Sequence, residues 1–134
     1  MERRRQVRFL LDTHALLWLA FDEDMLSPRA RKLIQTRGSE VLVSAASAWE
    51  IATKFRLGRL KYARALAENF IPRVTAAGYK LLPISAEHAL RAGHLPGDHK
   101  DPFDRMLAGQ AIHEDLPLLS NDTELDVFGV RREW

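Results

Sequence analysis

Residues 7–11 read Val-Arg-Phe-Leu-Leu, almost wholly apolar, and the run stops at Asp12. A half-exposed strand alternates apolar and polar residues. A run without alternation predicts a strand covered on both faces, as in a parallel sheet flanked by helices. The rest of the chain fits that frame. A helix is predicted from His14 to Phe21, closed by Asp22-Glu23-Asp24. Ser27-Pro28 opens the next, with an N-cap and a proline at the first position, and it ends near Gly38. Val41-Leu42-Val43 is a second short buried strand, and Ser44 caps a helix over 45–57. A helix over 63–77 follows, which Pro72 should kink or divide. Tyr79–Ile84 is a third strand, and Ser85-Ala86-Glu87-His88 starts a helix in the manner of a capping box. That helix reaches about Gly93. Beyond the loop Leu95–Lys100, Asp101-Pro102 opens a helix to about His113. Leu116–Leu119 is a fourth strand, and Phe128–Arg132 a short last one. Strands that alternate with helices define an α/β fold with a mainly parallel sheet. Ligands of such folds sit beyond the carboxyl ends of the strands.

Composition narrows the chemistry. The 134 residues suffice for one domain, and the absence of cysteine excludes a disulfide scaffold, a thiolate zinc site and a cysteine nucleophile. The longest apolar run, Ala15–Phe21, is far short of a bilayer span. Arg8, Asp12 and His14 interrupt what a secretory leader would need, so the N-terminus reads as mature and the protein as cytoplasmic. Charge is uneven. Residues 1–80 carry 15 Lys and Arg against 8 Asp and Glu, a balance of +7; residues 81–134 carry 5 against 10, a balance of −5. A basic part joined to an acidic part suits a protein that grips a polyanion while holding cations.

The residues just after the strands are carboxylates. Asp12 follows the first strand, Glu50 lies in the helix after the second, Asp101 and Asp104 open the helix before the fourth, and Asp122 follows the fourth. Helix N-termini favour carboxylates as caps, so each aspartate has a structural reading beside a functional one. Asp104 borders the apolar stripe of Phe103, Met106, Leu107 and Ala111. Asp101 lies further round, which makes Asp104 the inward ligand and Asp101 the cap. Glu50 points away from the stripe of Ala48, Ile51, Ala52 and Phe55 and stands four residues before Lys54. Periodicity does not separate a cleft from open solvent on that side. Carboxylates gathered in one cleft repel one another and need protons or a cation. An oxygen-only donor set suits Mg²⁺ or Mn²⁺ rather than zinc. His88, His94, His99 and His113 read as surface or packing residues, while His14 stands close to Asp12. No glycine-rich phosphate loop and no Ser–His–Asp motif appears.

Four segments resemble the PIN-domain ribonucleases, in particular the VapC-like toxins of type II toxin–antitoxin pairs. They are residues 9–14 (Phe-Leu-Leu-Asp-Thr-His), 44–51 (Ser-Ala-Ala-Ser-Ala-Trp-Glu-Ile), 99–107 (His-Lys-Asp-Pro-Phe-Asp-Arg-Met-Leu) and 118–122 (Leu-Leu-Ser-Asn-Asp). The resemblance covers nearly the whole chain and implies a single PIN-like domain over residues 1–134. Its fold would be a three-layer α/β/α sandwich. It also implies a Mg²⁺- or Mn²⁺-dependent endoribonuclease that cleaves RNA phosphodiester bonds with a metal-activated water. The family's acidic site maps onto Asp12, Glu50, Asp104 and Asp122, with Asp12 and Asp104 as direct metal ligands. Thr13 and Ser120 match hydroxyl positions that support the first and last aspartates; Asp101 is an extra acid and Asn121 stands where the family varies. The Arg3–Arg5 extension is outside the family pattern. RNA phosphates would meet Lys54, Arg56, Arg59, Lys61 and Arg64, with Lys100 and Arg105 beside the acids. The resemblance further implies a homodimer and an antitoxin whose amphipathic tail lies in an apolar groove. Leu16, Leu17, Trp18, Leu19, Phe21, Trp49 and Phe55 supply the apolar groups for core and groove. Two other classes use the same strand-end aspartates: a Mg²⁺-dependent phosphatase or phosphoacceptor domain, and a catalytically silent module that binds RNA or protein.

Overall fold

A computed structural model describes residues 7–134, so the Arg3–Arg5 extension lies outside the described residues. The apolar run becomes β1 (Arg8–Leu11), the centre of a five-stranded sheet. Its parallel partners are β2 (Glu40–Ser44) and β4 (Leu118–Leu119); β3 (Lys80–Leu82) and β5 (Arg132–Glu133) form the edges, also parallel. The order is β3-β2-β1-β4-β5.

The helices lie on both faces. They are α1 (Thr13–Phe21), α2 (Pro28–Gln35), α3 (Ala45–Arg56), α4 (Arg64–Glu68), α5 (Phe70–Ala76), α6 (Ala86–His94) and α7 (Pro102–His113). Successive side chains of β1 point to opposite faces, which explains why it alternates with nothing polar. Phe9 and Leu11 enter a core with Leu16, Leu17, Ile51, Leu66, Phe70 and Val74. Leu10 enters the other, with Leu107, Ala108, Ala111, Leu118, Leu125 and Phe128. This is the expected α/β/α sandwich. No helix of the described residues is long and apolar enough to cross a membrane.

Several boundaries differ from expectation. The helix over 63–77 is broken at Asn69, between α4 and α5, rather than at Pro72. Pro72 falls in the first turn of α5, where its missing N–H leaves no hydrogen bond unmade. Phe128 does not open the last strand. It ends a 3-10 turn, Thr123–Phe128, and Gly129, at φ +79°, reverses the chain before β5.

Gly109 sets the seam between α6 and α7. A Cβ there would stand 3.0 Å from the Ala92 backbone nitrogen and 3.1 Å from its Cα, in rigid helical backbone. Gly109→Ala is expected to destabilise the protein by about 1–3 kcal/mol through overpacking. A thermal melt reads this directly, and an unchanged midpoint would show that the helices slide apart freely.

Candidate active site

The chain winds from β1 outward to β2 and β3, then returns to place β4 on the other side of β1. The switch in winding direction therefore falls between β1 and β4, where open α/β sheets bind ligands. Leu11 pairs with Leu119, and the Asp12 amide donates to the Leu119 carbonyl at 3.1 Å. That register sets Asp12 beside Ser120.

Asp12 is buried and caps α1, its Oδ1 accepting from the Ala15 amide at 2.7 Å. Burial pushes its carboxyl above the usual carboxylate range and Asp122 adds to the rise, while Ser120 and the Ala15 amide oppose it. Thr13 is hydrogen-bonded, hydroxyl to hydroxyl, to Ser47 at 3.0 Å, which ties α1 to α3. Ser44 caps α3 through the Ala46 amide at 2.9 Å. Further along α3, Glu50 is only 3% exposed, so it is no solvated surface residue. Lys54 donates to its Oε2, whereas Oε1 is buried with no hydrogen-bond partner.

Asp101 and Asp104 divide their roles by geometry. Asp101 caps α7, its Oδ1 accepting from the Phe103 amide at 2.9 Å and the Asp104 amide at 3.2 Å. Asp104 is left out of the cap. Its carboxyl is pushed up to about 7, chiefly by burial, then by the charges of Asp101, Glu50 and Asp122. Asp122 closes the set: its amide donates to the Ser120 hydroxyl at 3.0 Å, and its Oδ1 accepts from the Glu124 amide at 3.0 Å. Asp12, Glu50, Asp104 and Asp122 thus form one electrostatic unit. Asp122 acts on both Asp12 and Asp104, and Glu50 acts on Asp104. Asn121 is exposed and shares a recess beside Asp122 with His14, Trp18 and Glu124.

His99 packs, as expected, stacking on Phe128, and it also borders the acids. Its Nε2 is 3.2 Å from Asp104 Oδ2, without hydrogen-bond alignment, and 4.0 Å from Glu124 Oε2. Atoms of His99, Asp122 and Glu124 lie within 4.8 Å of one another. The cluster is therefore not made of oxygen alone. The other such group among the described residues, His88, His113 and Glu114, is a different case. His88 Nδ1 accepts from the Ser85 amide at 3.0 Å, so the proton sits on Nε2, which donates to Glu114 at 3.0 Å. A metal on Nε2 would break that arrangement.

Arg105 also departs from expectation. Its guanidinium donates to the carbonyls of Ala92 at 3.1 Å, His99 at 2.9 Å, and Leu95. It lies 5.3 Å over the Phe128 ring, on which His99 stacks at 5.5 Å. Arg105 is an internal brace for the loop that carries His99, which replaces the expected RNA phosphate contact. Lys54 is engaged by Glu50, and Arg64 pairs with Glu68 at 2.8 Å. Arg56, Arg59, Lys61 and Lys100 are solvent-exposed.

The fold and site define an α/β domain with a buried acidic cluster at its switch point. The chain matches the PIN domain family over residues 9–130 and belongs to it. No curated protein matches it by sequence. Among solved structures it is similar to a VapBC2 complex from Rickettsia felis bound to a DNA fragment from its promoter. The TM-score is 0.68 at 14% identity, over 95% of this chain and 98% of that one. FitAB bound to an IR36 DNA fragment is similar with TM-score 0.58 and 17% identity, over 93% of both chains. FitAcB from Neisseria gonorrhoeae follows with TM-score 0.57 and 18% identity, over 92% and 95%.

Proposed function

We propose that this chain is a metal-dependent endoribonuclease and the toxin of a toxin–antitoxin pair, acting in the cytoplasm. The observation that carries the reading is the set of mutually repelling, largely buried carboxylates at the sheet's switch point. Such a set is unstable as anions unless a cation joins it. The donors fit: Glu50 Oε1 is buried without a partner, and the carboxyls of Asp12 and Asp104 are both raised by burial. Asp12, Asp104 and Asp122 would hold Mg²⁺ or Mn²⁺, with Glu50 completing the site. A divalent cation there lowers the pKa of a bound water and offsets charge on phosphoryl oxygens. The chain's own part is placement. Asp12 is fixed by its cap, Thr13 and Ser47 lock α1 to α3, and Asp101 holds the α7 terminus so that Asp104 stays free. Arg56, Arg59, Lys61 and Lys100 would bind RNA phosphates.

The neighbouring VapBC2 and FitAB complexes support a partner protein, and the family resemblance implies a homodimer. The recess lined by Leu17, Trp18, Phe21, Asp22 and Tyr62 suits an apolar segment of the antitoxin. Purified protein freed of any partner is expected to cut total RNA into discrete fragments with Mg²⁺ or Mn²⁺ and to leave it intact in EDTA. Intact RNA under every metal, with the fold verified and no partner retained, would overturn the reading in favour of a phosphatase or a silent binding module.

A further inference from the structure

Trp49 is 54% exposed, although tryptophan is the side chain with most to gain from burial. It precedes the buried Glu50 on α3, so the two side chains leave the helix about a quarter-turn apart. Its ring meets that of Phe103 edge-on, with centroids 4.5 Å apart and planes at 70°. Phe103 precedes Asp104 in the first turn of α7. The aromatic pair therefore joins the two helices that carry Glu50 and Asp104, on the rim of the acidic cluster. A cation flanks it in sequence: exposed Lys100, three residues before Phe103. A second aromatic pair, the exposed Phe21 and Tyr62, borders a recess that contains none of the four acids.

We infer that Trp49, braced by Phe103, is a stacking platform for an unpaired nucleobase of the RNA strand entering the site. The inference rests on the ribonuclease reading above. Every base has a π-face, so such a platform holds a strand without reading its sequence, and nearby Lys100 meets its phosphates. A base in a duplex is already stacked on both sides and gains nothing from it. The platform thus selects single-stranded RNA, loops or ends.

The test measures binding in the Asp104→Asn background, where RNA survives, using a short labelled single strand and its duplex in EDTA. Trp49→Ala is expected to weaken single-strand binding about tenfold, Trp49→Phe to restore most of it, and duplex binding to stay unchanged. In the active protein the same change raises KM and spares kcat. Trp49→Gln serves as a second variant should Trp49→Ala fail to fold. Unchanged single-strand affinity in a folded variant overturns the platform. So does a loss of affinity that coincides with dissociation of a dimer, which would mark this face as a self-association surface. If the wild type cuts no RNA, the ribonuclease reading falls; if it cuts and Trp49→Ala keeps the wild-type KM, only the platform falls.

Discussion

Asp104→Asn is expected to abolish RNA cleavage while making the metal-free protein more stable at pH 8. Both effects come from one carboxyl. Its pKa is pushed from 3.8 to about 7 by burial and by the charges of Asp101, Glu50 and Asp122. The folded chain therefore holds a proton there between about pH 4 and 7 that the unfolded chain has released. Stability falls as pH rises through that window and levels off above it. The charged group at pH 8 costs about 2 kcal/mol once its partly open surroundings are discounted. Asn keeps the shape and cannot ionise, so the variant's melting temperature should decline less from pH 5 to 8 than the wild type's, the remainder coming from Asp12, whose carboxyl is also raised. Cleavage should fall by about three orders of magnitude or more, since a ligand of the reacting group is lost. Thermal melts in EDTA at the two pH values, with a cleavage assay on the same preparations, read both. Parallel melting curves, or an active variant, would contradict the assignment.

Divalent cation binding should show the same carboxyl from the other side. A cation competes with the proton on Asp104, and with that on Asp12, whose carboxyl burial also raises. Affinity for Mn²⁺ is expected to fall by about tenfold or more per pH unit below 7, where Asp104 gains its proton. The corresponding thermal stabilisation should be large at pH 8 and mostly lost at pH 5.5. Calorimetry in two buffers of different ionisation enthalpy counts the protons released. Proton release near zero at pH 6, with undiminished affinity, would place the cation away from these acids.

Much of the layout was legible in the chain because it is set locally. The apolar run Phe9–Leu11 of β1 announces burial on both faces, and Asp12 and the Asp101-Pro102 pair announce helix starts. Glu50 was ambiguous because helical periodicity gives a direction and not what lies in that direction. It is 3% exposed and its charge acts on Asp104 across the cluster, a proximity that only the fold assembles. That His99, besides packing on Phe128, borders the acids was hidden for a similar reason. The loop before α7 has no periodic pattern, and its course is fixed by Arg105 reaching back to Leu95, His99 and Ala92. That same reach removes Arg105 from the RNA contacts its charge suggested. Asn69 breaks the long helix where Pro72 was the visible breaker, because a proline in a first turn breaks nothing.

The most direct test of the central claim is the chemistry of the cut ends. RNA cleaved in ¹⁸O-labelled water with Mn²⁺ should carry linear terminal phosphates with one labelled oxygen. Asp12→Asn should leave the RNA whole, and EDTA should do the same. Terminal 2′,3′-cyclic phosphates, formed without label and persisting in EDTA, would show that the ribose hydroxyl rather than water attacks, and that the acidic cluster is not the catalytic centre.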